Sequence, residues 1–344
     1  MARRELGPAA LQVVQAVRGL VDDVASASGA PHADRVASAS ERVEIPTLVL
    51  GVSGGADSMA LAAGLAATLE QRRRAGLGIP DVLAVVVDHG LQPGSDEVAS
   101  TVAARVEALG LACRVVRVEV ATDSGMGLEA AARGARLAAL REAAGGGLVV
   151  LGHTLDDQGE TVLLGLARGS GTRSLAGIAE RAGDLVRPLL GLPRTATVQA
   201  CREWGIDVWD DPHNTDPRFL RSRVRHELMP VLNEVLGPGV AKALARTATL
   251  AAQDADALDV WAADHLPDGD VLPVATLEAL PPAVASRVLR AWLLACGATE
   301  VNHDHTASAL ALVTHWRGQG PISLPGLFVQ RSDGGLLASP SSVR

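Results

Sequence analysis

A pair of glycines between an apolar segment and an Ala/Leu-rich segment constrains the fold of this chain more than any other feature. The run Leu48 to Val52 is typical of a buried strand, and Met59 to Leu69 is typical of a helix. Residues 53–58 join them with the sequence Ser-Gly-Gly-Ala-Asp-Ser. The chain is therefore predicted to turn tightly from a strand into a helix, which is the first half of a β–α unit.

The residues of this turn are suited to holding phosphate. A helix N-terminus presents unpaired N–H groups and the positive end of the helix dipole, and glycine lacks the Cβ that would keep a phosphate away. Asp57 repels phosphate unless Mg²⁺ lies between them, so it is a candidate metal ligand. Such turns also occur without a ligand, and no Walker A Gly-Lys-Ser/Thr follows. The position between strand and helix nevertheless favours a nucleotide site formed by Ser53, Gly54, Gly55, Ala56, Asp57 and Ser58.

Length and composition set the broad class of the protein. The 344 residues are too many for one ordinary core, so two domains are expected. With 48% hydrophobic residues and no apolar run of membrane-spanning length, the chain is expected to be globular and without a membrane partner. The three cysteines lack the spacing of a metal site or a disulfide framework, which predicts a reducing, cytoplasmic location. A net charge of −8 disfavours indiscriminate nucleic-acid binding but permits a local basic surface.

Strands and helices alternate along the first part of the chain. This order predicts an α/β fold, a parallel five-stranded sheet with helices on both faces, whose ligands bind at the carboxyl ends of the strands. The strands are predicted at 47–52, 82–87, 112–120, 148–151 and 185–190. From about residue 222 the pattern becomes helical and ends in short strands at 322–338. We therefore predict an N-terminal helix and connector at 1–45, the α/β domain at 46–221, and a smaller, mostly helical second domain at 222–344.

The most acidic segment follows the fourth predicted strand. It runs from His153 through Asp156 and Asp157 to Glu160, and the last two share one helix face because they are three positions apart. Carboxylates near a helix start are compatible with the helix dipole alone. Beside a phosphate site, however, adjacent like charges need a cation to offset them, either Mg²⁺ or an amino-bearing substrate. We therefore predict a functional role for this segment.

Other polar segments are candidate contacts with a nucleotide or with RNA. Asp88 and His89 end the second strand; alone they would be a turn-capping Asp and a surface His, but beside the glycine turn they face the nucleotide. Arg168 precedes a glycine-rich loop, which alone would be a helix C-cap. Four arginines within eight residues are either a solvated helix face or a strip that grips an RNA backbone, namely Arg218, Arg221, Arg223 and Arg225.

Together these segments resemble one family, the tRNA(Ile)-lysidine synthases, a branch of the N-type ATP pyrophosphatases. The matching segments occur in the family's order at 53–58, 87–91, 128–136, 153–161, 168–171, 187–190 and 211–230. The resemblance implies an ATP-dependent ligase that adenylates the wobble cytidine of a CAU-anticodon tRNA(Ile). Free lysine would then be joined to C2 of that base, forming lysidine with release of AMP and pyrophosphate.

The resemblance also implies roles for individual residues. ATP would be held by residues 53–58 with Asp88 and His89, and Mg²⁺ by Asp57. Asp157 and Glu160 would bind the ammonium groups of lysine, and the catalytic residues would be Asp57, His153, Asp157 and Glu160. The tRNA or the walls of the site would be contacted by Glu129, Arg133, Arg136, Arg168, Arg218, Arg221, Arg223 and Arg225. A homodimer is compatible with the sequence, which does not determine the oligomeric state.

Three other functions share parts of this pattern. A tRNA thiolase of the same superfamily would also adenylate a base, but that chemistry typically uses a cysteine pair or iron–sulfur ligands, which Cys113, Cys201 and Cys296 do not offer. A small-molecule amide synthetase would not need the arginine-rich segment. A non-catalytic RNA-binding protein would not need Asp57 or the acidic segment. The thiolase is the alternative to lysidine synthesis.

Overall fold

By its contacts the chain divides into two compact units, seen in a computed structural model that describes residues 6–28, 48–120, 127–169, 171–209 and 216–341. The first unit comprises Met1–Ser170 and Gly177–Ala248, and the second comprises Gly171–Ala176 and Thr249–Arg344. The division falls inside one long helix, Val240–Ala263. Residues 222–248, which the sequence analysis groups with the second domain, therefore make their contacts within the first unit.

The first unit is built on a six-stranded sheet in the order β3-β2-β1-β4-β6-β5. The strands are β1 (Leu48–Val52), β2 (Val82–Asp88), β3 (Ala112–Arg117), β4 (Leu148–Val150), β5 (Arg181–Ala182) and β6 (Leu185–Val186). Five of them run parallel, and β5 pairs antiparallel with β6. The predicted parallel α/β fold is confirmed. The extra strand β5 was missed because two residues carry no periodicity.

Helices cover both faces of this sheet. In the first unit they are α1 (Pro8–Ser28), α2 (Ala56–Arg74), α3 (Ser95–Ala108), α4 (Leu128–Ala144), α5 (Leu155–Ala167), α7 (Arg194–Trp204), α8 (Leu220–Arg223), α9 (Met229–Leu236) and the start of α10 (Val240–Ala263), with a π-helical turn at Val224–Leu228. Leu48 and Leu50 of β1 pack with the α1–α2 side, whereas Val49 packs with Leu140 of α4 on the other side. Because both faces are covered, β1 is an uninterrupted apolar run. Among the described residues, no helix is long and apolar enough to cross a membrane.

Two predicted strands end earlier than expected. The fifth was predicted at 185–190, but β6 ends at Val186 and a turn follows in which the Leu190 N–H donates to the Arg187 carbonyl at 3.2 Å. Pro188 has no N–H for the ladder, which explains the end of that strand. Likewise β3 was predicted to reach residue 120 but ends at Arg117. The early end of β6 leaves Arg187 at the carboxyl edge of the sheet, beside the end of β4.

The N-terminal helix α1 is part of the core of the first unit. Its buried residues Val13, Val17 and Val21 belong to the same apolar cluster as residues of α2 and α7. Glu203, near the end of α7, accepts hydrogen bonds from the backbone N–H of Ala10 at 2.8 Å and of Ala9 at 3.4 Å. A carboxylate at that position satisfies N–H groups that have no partner within the helix and opposes the helix dipole. The helix predicted at 8–25 is confirmed and extends to Ser28.

The second unit combines helices with an antiparallel sheet. Its helices are α6 (Thr172–Leu175), the end of α10, α11 (Val274–Glu278), α12 (Pro282–Ala295) and α13 (His303–Thr314). The sheet has the order β7-β10-β9-β8 and consists of β7 (Val271–Pro273), β8 (Ile322–Leu324), β9 (Leu327–Ser332) and β10 (Gly335–Pro340). Trp292 is fully buried in its core and donates to the Gly269 carbonyl at 3.1 Å. The predicted helices with a small β tail are observed, and β7 joins that tail as a fourth strand.

Candidate functional site

The glycine turn after β1 has a backbone that only glycine tolerates at its centre. Gly54 has φ of 84°, and its carbonyl accepts the Trp209 N–H at 2.8 Å. A Cβ added to Gly54 would lie 2.5 Å from Cγ2 of Val102 and 3.2 Å from Cβ of Trp209. Positive φ disfavours side chains, and the packing leaves no room for one. Glycine is therefore required at this position, where the buried turn packs against Val102 and Trp209 just before α2 begins at Ala56.

Two serines hold the turn in its shape. The Ser53 N–H donates to Oγ of Ser58 at 3.1 Å, and the two hydroxyl oxygens are 3.2 Å apart. The Ser58 hydroxyl donates to the Gly55 carbonyl at 3.0 Å. Ser53 is exposed, whereas Ser58 is buried. The serines thus add contacts within the loop to the Trp209 hydrogen bond, and the Ser53 side chain remains exposed.

Replacing Gly54 with alanine is expected to lower the free energy of unfolding of the first unit by about 2–4 kcal/mol, because a positive φ and a steric overlap both oppose the new methyl group. Chemical denaturation measures the effect. Gly76 is the matched control, since it has φ of 69° but nothing within 4 Å of an added Cβ. Equal losses in Gly54→Ala and Gly76→Ala would contradict the argument from crowding.

Asp57, the second residue of α2, is held by two residues of α7. The Thr197 hydroxyl donates to Oδ1 of Asp57, and Nη1 of Arg194 lies 3.3 Å from Oδ2. Burial raises the pKa of Asp57, and the Arg194 charge and the Thr197 hydrogen bond oppose that rise. A nearby cation favours the charged form of a largely buried carboxyl group. Asp57 is therefore suited to bind a cation.

The start of α7 also binds the acidic helix α5. The Arg194 N–H donates to Oδ2 of Asp156 at 2.7 Å. On the other side of Asp57, Gly152 of the loop after β4 lies so close that an added Cβ would be 3.0 Å from the Asp57 carbonyl. Helix α7 therefore joins the glycine turn to the acidic segment. Sequence reasoning missed Arg194 and Thr197; the only local signal was Pro193, a typical residue at a helix start.

The carboxylates of α5 are engaged by an arginine from the π-helical turn. Asp157 accepts the Thr154 N–H at 2.8 Å and the Thr154 hydroxyl at 3.0 Å, which caps the helix. Arg225 donates to Oδ1 of Asp157 at 3.0 Å and to both oxygens of Glu160 at 2.6 and 3.0 Å. These two residues therefore form a preorganised cation site, occupied by a guanidinium of the chain itself.

The two carboxylates differ in their electrostatics. Burial raises the pKa of Asp157, but the Thr154 N–H and the charge of Arg225 outweigh it, so the pKa is lowered overall. Burial raises the pKa of Glu160 and prevails over the hydrogen bond and charge of Arg225. The charge of Asp157 also raises the pKa of Asp57. The glycine turn and the acidic helix α5 lie close together, since Arg194 contacts both Asp57 and Asp156.

A cleft of about 210 Å³ lies beside this cation site. It is lined by Asp156, Glu160, Arg225, Met229, Pro230, Asn233 and Ala241. Its walls therefore combine two carboxylates and a guanidinium with apolar surface from α9 and α10. This composition suits a small amphipathic cation, whose charged groups need partners and whose methylene groups need apolar contact.

Three basic side chains, those of His153, Arg136 and Arg187, form a cluster at the carboxyl edge of the sheet, here called the basic group. The ring of His153 has a pKa lowered to about 4, first by burial, then by nearby arginines including Arg187 and Arg136, against the opposing charge of Asp157. Burial and the charges of Arg133 and Arg221 lower the pKa of Arg136. Within the described residues, buried nitrogens without a hydrogen-bond partner are Nδ1 of His89, Nε of Arg136, Nδ1 of His153 and Nε of Arg187. Such donors are suited to an anion or to a polar base edge.

Asp88 has a local structural contact. It is buried, its Oδ1 accepts the Gly90 N–H at 2.9 Å, and Nη1 of Arg117 lies 3.6 Å from its Oδ2. Burial raises its pKa, but hydrogen bonds from Ser95 and Gly90 and the charge of Arg117 lower it overall. The neighbouring His89 has a pKa lowered by burial and by Arg136. His89 is thus electrostatically linked to the basic group, whereas Asp88 fixes the turn after β2.

The four arginines near residue 220 do not form one continuous strip. Arg218 pairs with Asp216 at 2.6 Å, and Arg223 pairs with Glu227 at 3.1 Å, both on the surface. Arg221 donates to the Thr161 hydroxyl at 3.1 Å, and Arg225 points into the acidic site. Arg168 is exposed after α5. The side chain of Glu129 and residues 211–215 lie outside the described part of the chain.

Two family models match the chain. Residues 31–232 match the family model of a PP-loop domain, and residues 272–337 match that of a TilS substrate binding domain. A tRNA(Ile)-lysidine synthase of Cutibacterium acnes is 46% identical over 341 residues, covering 98% of both chains. Another, of Mycobacterium tuberculosis strain H37Rv, is 50% identical over 285 residues, covering 80% of this chain and 83% of that protein.

The fold and the family match thus define a PP-loop protein, in which a glycine turn joins β1 to α2. Within that class, the match to the TilS substrate binding domain and the 46% identity over 98% of both chains identify one family. The chain belongs to the tRNA(Ile)-lysidine synthase family. The resemblance found in the sequence is therefore confirmed.

Proposed function

We propose that the chain is an ATP-dependent ligase that converts the wobble cytidine of tRNA(Ile) to lysidine. The observation that carries this function is the juxtaposition of the glycine turn, joined through Arg194 to the acidic helix, with a carboxylate pair that already holds a cation. In the first step O2 of the cytidine attacks the α-phosphorus of ATP, and the bond to the leaving pyrophosphate breaks. In the second step an amine of lysine attacks C2, and AMP leaves with O2.

The turn at residues 53–58 would receive the phosphates of ATP. Gly54 gives the turn its conformation, and the partly exposed Gly55 and the exposed Ser53 would face the phosphate at the start of α2. Asp57 would hold Mg²⁺; among the described residues no group of three or more His, Cys, Asp or Glu is arranged around a metal position. One carboxylate suffices for Mg²⁺ that is also bound by substrate phosphates, so the residues fit. Bound there, Mg²⁺ supplies charge stabilisation to the departing pyrophosphate.

Asp157 and Glu160 would bind free lysine. The guanidinium of Arg225 stands in for the ammonium of the substrate, since both are cations that donate hydrogen bonds to the same oxygens. The adjoining cleft offers apolar walls from Met229 and Pro230 for the methylene groups. Lysine enters by sharing or replacing the Arg225 contacts, and a flexible long side chain such as arginine can accommodate that change.

The basic group and the exposed arginines would contact the tRNA. His153 is neutral at pH 7 because its pKa is lowered to about 4, so it can hydrogen-bond a base without adding charge. Arg136 and its neighbour Arg133 add positive charge at the same edge of the sheet. Arg168 and Arg218 lie on the surface, where phosphate contacts form. We further propose that the enzyme works in the cytoplasm, and a homodimer remains a proposal for which solution mass is the test.

Nucleoside analysis of tRNA incubated with the protein, ATP and lysine tests this function. A tRNA(Ile) with a CAU anticodon is expected to yield lysidine and one AMP per modified base, and neither product forms without lysine or ATP. Changing the wobble cytidine to uridine is expected to abolish turnover, because uridine presents a different donor and acceptor pattern at N3 and C4. Turnover of the uridine tRNA at the same rate would reject the base assignment.

The same digests separate lysidine synthesis from base thiolation. A thiolase would leave a sulfur-containing nucleoside and would not respond to lysine. Burial raises the pKa of all three cysteine thiols, that of Cys113 to about 11 and that of Cys201 to about 12, which disfavours the thiolate that a sulfur carrier needs.

A further inference from the structure

Asp57 has two partners in α7, and the roles implied by the family resemblance include neither of them. Its Oδ1 accepts the Thr197 hydroxyl, and its Oδ2 lies 3.3 Å from Nη1 of Arg194. The Asp57 side chain is 15% exposed and that of Arg194 is 31% exposed, so the pair is neither sealed nor fully solvated. A divalent ion on Asp57 would meet the guanidinium as a like charge at the same oxygen. Arg194 and a metal therefore compete for this carboxylate.

The backbone of Arg194 does not depend on that ion pair. Arg194 is the first residue of α7, and its N–H donates to Oδ2 of Asp156 at 2.7 Å. Its carbonyl oxygen lies 2.8 Å from the Thr197 hydroxyl, whose single proton is shared between this carbonyl and Oδ1 of Asp57. The N–H of Arg194 is thus fixed by Asp156, and the side chain can change its partner while Cα stays in place. The guanidinium then remains next to the phosphate-binding turn.

We propose that Arg194 is a further catalytic residue, which neutralises Asp57 in the free protein and contacts phosphate oxygens of ATP once a metal ion takes its place. This inference rests on the proposed function only for its substrate, ATP. A planar guanidinium donates paired hydrogen bonds that match phosphate, and it keeps its charge at any working pH. Positioned at the phosphate-binding turn, it stabilises the charge that develops on the departing pyrophosphate.

Because Arg194 and a metal ion compete for Asp57, the variant Arg194→Gln is expected to show two binding effects of opposite sign. Without nucleotide, Mn²⁺ followed by electron paramagnetic resonance is expected to bind several-fold tighter, because its competitor at Asp57 is gone. Without metal, inorganic pyrophosphate followed by calorimetry is expected to bind about tenfold or more weaker, because charge-assisted hydrogen bonds are lost. AMP release with all substrates is expected to fall about 100-fold, a typical effect of one transition-state donor.

Arg202→Gln is the matched control, since Arg202 is an exposed arginine on the same helix and is expected to leave all three measurements unchanged. Arg194→Lys is expected to restore exclusion of Mn²⁺ but to recover pyrophosphate affinity only in part, because lysine lacks the planar fork. Unchanged affinities in Arg194→Gln, or a parallel weakening of both with a lower Tm, would overturn the proposal and leave Arg194 a structural residue. Neither binding measurement uses tRNA or lysine, so failure of the proposed function is seen separately, as wild-type protein that forms no lysidine.

Discussion

Replacing Asp57 with alanine is expected to lower the rate of AMP release by about 10³-fold or more while the fold is retained. The side chain is the proposed metal ligand at the phosphate-binding turn, and loss of several kcal/mol of charge stabilisation in the transition state corresponds to that factor. The contacts of Asp57 are a hydroxyl and a partly exposed arginine, so its removal leaves the apolar core of the sheet intact. Pyrophosphate and AMP release are measured with saturating tRNA, ATP and lysine.

The control for this variant is a carboxylate with a similar partner outside the site. Asp184 pairs with Arg141 at 2.6 Å on the surface of the first unit, so Asp184→Ala is expected to keep wild-type activity. Circular dichroism and Tm establish that both variants are folded. Activity of Asp57→Ala within tenfold of the wild type would contradict the assignment of this residue to the chemical step.

Replacing Glu160 with glutamine is expected to raise the KM for lysine by about 100-fold, because a buried ammonium would lose a charged hydrogen-bond partner. Glu160 is fully buried and presents both of its oxygens to a cation, Arg225, in the free protein. The amide keeps the shape but not the charge. Affinity for ATP is expected to stay within a few-fold of wild type, because the phosphate-binding turn belongs to another helix, α2. Steady-state kinetics with lysine as the varied substrate measure the effect.

Glu227→Gln is the control for charge removal, since Glu227 also pairs with an arginine, Arg223, but lies on the surface. It is expected to leave the KM for lysine unchanged. Breaking a buried ion pair also destabilises the fold by about 3–5 kcal/mol, so the Tm of Glu160→Gln is expected to fall and assays belong well below it. A folded Glu160→Gln protein with wild-type lysine saturation would remove the amine-site assignment.

The fold and the place of the site were predictable from local patterns. The apolar run at β1, the glycine pair and the following helix define the turn by themselves, because only glycine fits the φ of 84° at Gly54. The parallel arrangement follows from alternating strands and helices, and it brings the ends of β1 and β4 to one edge. His153 and Asp157 lie there because each follows the end of β4 within a few residues.

The partners of the site residues were not predictable, because they come from distant parts of the chain. Thr197 is separated from Asp57 by 140 positions, and Arg225 is separated from Glu160 by 65. The sequence analysis grouped Arg225 with Arg221 and Arg223, as part of a solvated helix face or of a strip that contacts RNA. A helix face cannot be assigned correctly when the helix changes its hydrogen-bond spacing, and the π-helical turn at Val224–Leu228 makes such a change.

Glu203 ties the first turn of α1 to the end of α7, and the start of α7 holds both Asp57 and Asp156. Helix α7 thus connects α1 to residues of the proposed nucleotide site. In relatives in which α1 is replaced by another segment, other contacts must position α7, or the distance between the glycine turn and the acidic helix will change. Substitutions in α1 are therefore expected to change the affinity for ATP and lysine rather than to unfold the sheet.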